Sequence, residues 1–149
     1  MAIRFFDMFA GIGGFRSGLE AIGGFECVGY CEIDKYAKQA YEAMYDTRGE
    51  LYFDDARKIV SEQLSDFDLL VGGFPCQSFS IAGARKGFDD TIGTLFFELA
   101  RIAAVKKPKY LFLENVPGLL NHDEGRTFET ILRRGPRKDV SFLGRGGTA

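Results

Sequence analysis

The sequence has one histidine, three cysteines and no long apolar run, and each shortage closes off a class of protein. A zinc site draws several His and Cys ligands from short spacings, so His122 alone leaves little for metal chemistry and no metal is expected. Cys27, Cys31 and Cys76 are odd in number and lack framework spacing. They read as free thiols of a reducing compartment, and Cys27 with Cys31 makes at most half of a metal site. No stretch approaches the roughly 18 apolar residues of a membrane span. Met1-Ala2-Ile3-Arg4 runs straight into a strand-like segment without the layout of a signal peptide. A basic excess is missing too: 19 Lys and Arg stand against 21 Asp and Glu, a formal net charge of −2. A free-standing nucleic-acid binder carries a basic surplus, so any such role falls to a local patch or a partner. What remains is 149 residues, 46% hydrophobic and 27% charged, an ordinary globular composition. A chain of that length can bury about 70% of its unfolded surface.

Strand and helix patterns alternate along it. Arg4 to Ala10 reads as a buried strand that runs into Gly11-Ile12-Gly13-Gly14. A helix follows from Phe15 to Ile22, with Phe15, Leu19 and Ile22 on its inner face and Gly23-Gly24 as its stop. Strand, glycine-rich turn and helix open a nucleotide-binding α/β domain. The dinucleotide fingerprint needs a third glycine at position 16, where Arg16 stands, which argues against NAD and for another adenosyl ligand. A second strand, Glu26 to Ile33, carries Glu32 at its end, the place where ribose hydroxyls are bound in such folds. Asp34 reads as the N-cap of a helix from Lys35 to Met44 whose apolar stripe is Tyr36, Ala37, Ala40, Tyr41 and Met44.

A short strand, Leu51 to Phe53, leads to Asp54-Asp55 and a helix from Ala56 to about Leu64. One of the two aspartates caps that helix, and the other is free to accept from an adenine amino group. Asp68 to Val71 is the fourth strand. It enters Gly72-Gly73-Phe74-Pro75-Cys76-Gln77-Ser78, where two glycines allow a sharp bend and Pro75 stiffens the approach to Cys76. A thiol on a stiff turn at a strand end is a candidate nucleophile. Ile81 to Gly93 is a long loop of the kind that serves as a lid or binding segment; Arg85 and Lys86 suit phosphate contact or simply a solvated surface. A helix from Leu95 to Val105 and a buried strand, Tyr110 to Leu113, lead to Glu114, and Thr127 to Arg133 adds a turn or two of helix. From Gly135 the periodicity fails, so residues 135–149 are expected to be an irregular basic tail after a domain over 1–134.

The class is therefore α/β with a mostly parallel sheet. Ligands of such sheets sit outside the carboxyl ends of the strands, where Gly11 to Gly14, Glu32, Cys76 and Glu114 all fall. A thiol with a carboxyl group does not make a thiol hydrolase, which needs a His base, and His122 is expected at the surface. The pair does suit addition to an electron-poor ring. The thiolate attacks carbon, and the acid protonates the ring nitrogen that gains electron density.

Four segments taken together resemble the successive motifs of DNA (cytosine-5) methyltransferases of the restriction–modification type. They are Phe9-Ala10-Gly11-Ile12-Gly13-Gly14-Phe15, Gly73 to Ser80, Gly93-Thr94-Leu95-Phe96-Phe97-Glu98 and Glu114-Asn115-Val116, in order from about Phe5 to Leu132. The resemblance implies a Rossmann-like fold of the S-adenosylmethionine-dependent methyltransferases, with S-adenosylhomocysteine as product. It implies that Phe9, Gly11, Gly13 and Gly14 line the cofactor, Glu32 binds its ribose, Ile33 packs on adenine, Asp55 takes the adenine amino group and Leu95 adds a contact. It gives Cys76 the attack on C6 of a flipped cytosine in double-stranded DNA and Glu114 the stabilisation of protonated N3. Flipping itself costs a few kcal/mol. Gln77, Ser80, Arg85 and Lys86 are then candidate DNA contacts on a loop that closes over the duplex.

Ile92 stands where the family usually has Arg, and the family's later motifs and target recognition region are absent from these 149 residues. The expectation is a chain weak or inactive alone, cytoplasmic in a bacterial or phage setting. Alternatives are a non-catalytic remnant or one subunit of a split enzyme, with a complementary chain or self-association at an unpaired sheet edge. An RNA cytosine methyltransferase shares the chemistry, but Phe74-Pro75-Cys76-Gln77-Ser78 resembles the DNA group more closely.

Overall fold

The computed structural model describes residues 1–74, 92–115, 118–126 and 128–129. Five parallel strands form one sheet in the order β3-β2-β1-β4-β5. They are β1 (Ile3–Met8), β2 (Phe25–Cys31), β3 (Leu51–Phe53), β4 (Leu69–Gly73) and β5 (Tyr110–Glu114). β1 lies at the centre because Phe5, Phe6, Asp7 and Met8 are buried in succession, as a strand covered on both faces requires. Its register to β2 slips between Phe5 and Phe6, so Val28 has no partner on β1. Gly29 sits at that slip, where a Cβ would come within 2.7 Å of the Leu51 carbonyl and 2.8 Å of the Phe6 ring.

Side chains alternate across β1 and sort the layers. Phe5 joins Leu19, Cys27, Leu69 and Val71 under α1 (Gly14–Ile22). On the same face α2 (Lys35–Met44) lays Tyr41 against Tyr30, ring centroids 4.4 Å apart. Phe6 and Met8 face the other way, into Leu70, Leu99, Ile102 and Ala103 beneath α3 (Ile92–Lys106). The short α4 (Gly118–Asn121) brings Leu119 against Phe74 and Phe96.

Several local expectations are corrected. Ile22 is 79% exposed, since α1 turns Arg16 and Leu19 inward instead. Tyr36 and Met44 are exposed as well, leaving Tyr41 as the buried anchor of α2. The single helix expected from Ala56 to Leu64 is two 3-10 turns, Ala56–Lys58 and Ser61–Gln63. Ala56, Ile59, Ser61 and Leu64 are all buried there, a spacing that no one helix face can satisfy. Arg101 supports the break by donating to the Ser61 hydroxyl at 3.0 Å and the Ala56 carbonyl at 3.2 Å. α3 starts at Ile92, earlier than Leu95. β5 is not fully buried: it is a sheet edge among the described residues, with Tyr110 59% and Phe112 43% exposed. Of the expected turns over Thr127 to Arg133, Phe128 and Glu129 are helical, and the rest lies outside the described residues, as does the tail from Gly135.

Candidate active site

The chain leaves β1 for β2 and β3 on one side and later returns to β4 and β5 on the other. Their common carboxyl rim is therefore a topological switch point, where open α/β sheets bind ligands. At the end of β1, Phe9 takes φ 55°, and Gly11 and Gly13 take φ 56° and 88°. Gly13 is the N-cap of α1 without a side-chain cap bond. A Cβ on Gly11 or Gly14 would meet nothing within 4 Å, so open space lies over this part of the turn. That space, beside first-turn amides of a helix, fits a ligand that approaches the backbone closely.

Glu32 follows β2 and is buried. Its Oε2 accepts from the Gly11 N–H at 2.7 Å and its Oε1 from the Asp34 N–H at 2.7 Å. The carboxylate thus ties the glycine turn to the end of β2, and each oxygen keeps acceptor capacity for a hydroxyl. Asp34 is the expected N-cap of α2, accepting from Tyr36 and Ala37. Ile33 stands 71% exposed beside Glu32, an apolar face open to a flat ring. Past β3, Asp55 caps the first 3-10 turn through the Arg57 N–H and also holds the Arg57 guanidinium, which keeps its carboxyl low, at about 2. The cap and the adenine acceptor suggested by resemblance therefore fall on one residue, while Asp54 pairs with Lys58 at 2.8 Å. Leu95 is half-buried near the start of α3.

On the other flank, Gly73 is in register with Glu114. A Cβ on Gly73 would lie 3.1 Å from the Glu114 Oε2, so that carboxyl sits over the end of β4. Asn115 Nδ2 donates to the Phe74 carbonyl at 3.0 Å, and Phe74 is buried against Phe96, centroids 5.6 Å apart. Phe74 is the last described residue before Cys76. Cys76, Gln77, Ser80, Arg85 and Lys86 lie outside the described residues, as does the side chain of His122. The other two cysteines are buried and free, and burial pushes both thiols up to about 12, far from a metal-binding thiolate. Among the described residues no group of His, Cys, Asp and Glu could hold a metal. A cavity of about 500 Å³ is lined by Arg4, Phe25 and Glu26 at the amino-terminal end of β1 and β2 and by Arg16, Tyr45 and Glu50 beneath the glycine turn.

A buried polar network under the glycine turn escaped sequence reasoning. Arg16 points down, not toward the turn's open side. It donates to Glu20 at 2.7 Å, Glu50 at 2.8 Å, the Asp46 carbonyl at 3.2 Å and the Tyr41 hydroxyl at 3.4 Å. Tyr41 in turn donates to Asp7 Oδ2 at 3.3 Å. Asp7 is fully buried, and its Oδ1 has no hydrogen-bond partner. The available signal was the charge itself: Arg16 with Glu20 at i+4, and an aspartate inside an otherwise apolar strand.

The model of the C-5 cytosine-specific DNA methylases matches residues 3–134. The chain belongs to that family. Its sequence is 50% identical over 146 residues to the orphan methyltransferase M.SPRI of Bacillus phage SPR, covering 95% of this chain and 33% of the relative. It is 47% identical to the type II methyltransferase M.HhaI of Haemophilus parahaemolyticus, over 94% of this chain and 42% of that one. This member thus spans about a third to two fifths of the length of those two relatives. Its fold matches a putative DNA modification methyltransferase encoded within an E. coli prophage with a TM-score of 0.72 at 25% identity, over 89% of this chain and 37% of the other. The S. pombe Dnmt2 methyltransferase shares the fold at a TM-score of 0.66 and 20% identity, over 89% of this chain and 40% of the other. The α/β, Rossmann-like methyltransferase fold read from the strand and motif order is the observed one, and no helix among the described residues is long and apolar enough to cross a membrane.

Proposed function

We propose that this methylase domain transfers a methyl group from S-adenosylmethionine to C5 of cytosine in double-stranded DNA. The observation that carries the reading is the second flank of the rim. The carboxyl of Glu114, an exposed residue, lies over the end of β4, and Asn115 ties that end in place at Phe74, two residues before Cys76. The described end of β4 thus brings the chain to Cys76 beside the Glu114 carboxyl, and the reading assigns the thiol and the carboxyl to one ligand.

On the first flank, Phe9 and Gly11 to Gly14 line the cofactor. Glu32 takes the ribose hydroxyls with the acceptor capacity its two amide bonds leave, Ile33 covers adenine, Asp55 accepts from the amino group, and Leu95 adds a contact. The cofactor supplies an electrophilic methyl on sulfur. Cys76, as thiolate, forms a bond to C6 of a flipped cytosine, and Glu114 gives a proton to N3, so electron density collects at C5. C5 takes the methyl with loss of the S–CH3 bond, and S-adenosylhomocysteine departs. Loss of the C5 proton to a base then expels Cys76 as thiolate, and return of the N3 proton to Glu114 restores the neutral ring. Gln77, Ser80, Arg85 and Lys86 contact the DNA, and the setting is the cytoplasm of a bacterium or phage host.

The test is uptake and transfer. The chain is expected to bind S-adenosylhomocysteine at least about tenfold more tightly than NAD, as the interrupted fingerprint at Arg16 requires. Tritium from labelled cofactor should reach cytosine C5 of mixed-sequence DNA only slowly from this chain alone, which spans about a third to two fifths of its relatives' length, with Cys76→Ser losing that transfer and keeping the binding. Tighter NAD binding, or label on adenine, overturns the reading.

A second reading, that this domain works with a complementary chain or a second copy, rests on β5. Its edge is unpaired among the described residues and carries exposed Tyr110 and Phe112, with Phe112 supported edge-on by Phe15 at 4.9 Å. The isolated chain is expected to self-associate by light scattering at tens of micromolar. A monodisperse monomer there contradicts this reading.

A further inference from the structure

We propose that Tyr45 is a positioning residue for the cofactor turn, fixing the Gly13 carbonyl and with it the amides at the start of α1. The inference rests on the glycine turn as the cofactor contact and extends it to a residue of another element that itself meets no ligand. Tyr45 ends α2 as its C-cap, its N–H bonded to the Tyr41 carbonyl at 3.0 Å. From there its hydroxyl donates to the Gly13 carbonyl at 2.9 Å. The same carbonyl accepts the Ser17 N–H at 2.8 Å, in the opening turn of α1. One carbonyl at the helix start therefore takes two donors, one from its own helix and one from α2.

The ring does as much as the hydroxyl. A Cβ on Gly13 would fall 2.4 Å from Tyr45 Cε2, so the bare glycine and the ring occupy one space between them. With φ at 88°, Gly13 has no side chain to steady it, and the ring keeps the turn from relaxing into the gap. Arg16 closes the far side, its guanidinium carbon 4.6 Å from the Tyr45 centroid while Glu50 holds the same group at 2.8 Å. Glu32 grips the Gly11 amide from β2, and Tyr45 grips the Gly13 carbonyl from α2. The turn is thus held at both ends from separate elements. A turn held in its bound shape binds more tightly because less ordering is left to be done when the ligand arrives.

Tyr45→Phe removes the hydroxyl and keeps the ring and its Arg16 contact. It is expected to weaken S-adenosylhomocysteine binding by roughly three- to tenfold, the range for one net hydrogen bond. Amide hydrogen exchange in the ligand-free chain should speed up over residues 10–17. The control is Tyr30→Phe, which removes another hydroxyl bond to α2, to Glu42 at 2.7 Å, without touching the turn. It should change binding and turn exchange by less than about twofold, even if it lowers the melting temperature comparably. The proposal is overturned if Tyr45→Phe leaves turn exchange unchanged, or if Tyr30→Phe weakens binding and loosens the turn equally, which would make both effects a matter of α2 docking. Should the unsubstituted chain take up no S-adenosylhomocysteine, the cofactor reading fails, and the exchange comparison, which needs no ligand, decides the role of Tyr45.

Discussion

Arg16→Met is expected to cost about 3–5 kcal/mol of folding stability, the range for removing one partner of a buried charge pair. A domain of this kind has only about 5–15 kcal/mol in total, so the variant should stand close to unfolding at 37 °C. The argument turns on Glu50. Its side chain is 9% exposed against 4% for Arg16, and burial already raises its pKa. Without the guanidinium it must either stay charged in an apolar surrounding or take up a proton. The Glu20 bond matters less, because that carboxylate is 43% exposed and water can replace its partner. Urea titration should show a lower midpoint at an unchanged slope. Arg16→Met with Glu50→Gln should recover much of the loss, because the stranded charge is gone. A single variant losing under about 1 kcal/mol, or a double variant no better than the single, would show that the pair does not hold α1 to the segment entering β3.

The second large effect is one of pH. Asp7 is fully buried, and burial lifts its pKa from 3.8 to about 7. The Tyr41 hydrogen bond and the Arg16 charge pull it down, while Glu32 and Glu50 push it up. The folded form therefore holds this proton more firmly than the unfolded chain does. Between about pH 4 and pH 7 the folded state carries the extra proton, so stability falls as pH rises through that window and levels off above it. An acid midpoint moved from 3.8 to about 7 corresponds to a loss on the order of 4 kcal/mol by neutral pH. Asp46 and Asp55, both held at about 2 by neighbouring arginines, act in the opposite sense and only in acid, below about pH 4. Asp7→Asn should flatten the decline between pH 4 and pH 7 and be the more stable form at pH 8. Both forms leave one polar atom of residue 7 unpaired, so the comparison isolates the charge. Equal slopes for the two proteins in denaturant titrations across that window would refute it.

The rim was legible in the sequence because its residues stand next to features that write themselves locally. Gly11 to Gly14 and Glu32 each follow a strand whose apolar run is visible, and parallel strands bring their ends to one side. The class, the strand count and the helix cap at Asp34 came from the same local signals. What stayed hidden depends on distant partners. Asp7, Arg16, Tyr41 and Glu50 meet across separations of up to 34 residues, and nothing in any short window marks them as neighbours. The residues after Phe53 misled for another reason. Ala56, Ile59 and Leu64 look helical until Arg101, from a helix far along the chain, takes the Ala56 carbonyl and the Ser61 hydroxyl. β5 read as buried because Leu111 and Leu113 do face the core, while Tyr110 and Phe112 share their apolar character on the opposite, open face.

The stacked Tyr30 and Tyr41 rings have a practical optical consequence. The chain contains six tyrosines and no tryptophan, so the long-wavelength part of its near-ultraviolet circular dichroism and its longest-wavelength emission come from phenol rings. Tyr41 lies 4.4 Å from Tyr30 and 4.9 Å from Tyr45, and Tyr52 lies 5.2 Å from Tyr30. Four of the six chromophores therefore form one coupled group at the junction of β2, β3 and α2. Loss of fixed packing at that junction would register as loss of the near-ultraviolet signal, even where the far-ultraviolet signal of the helices survives. The protein carries its own reporter for the elements that hold the glycine turn.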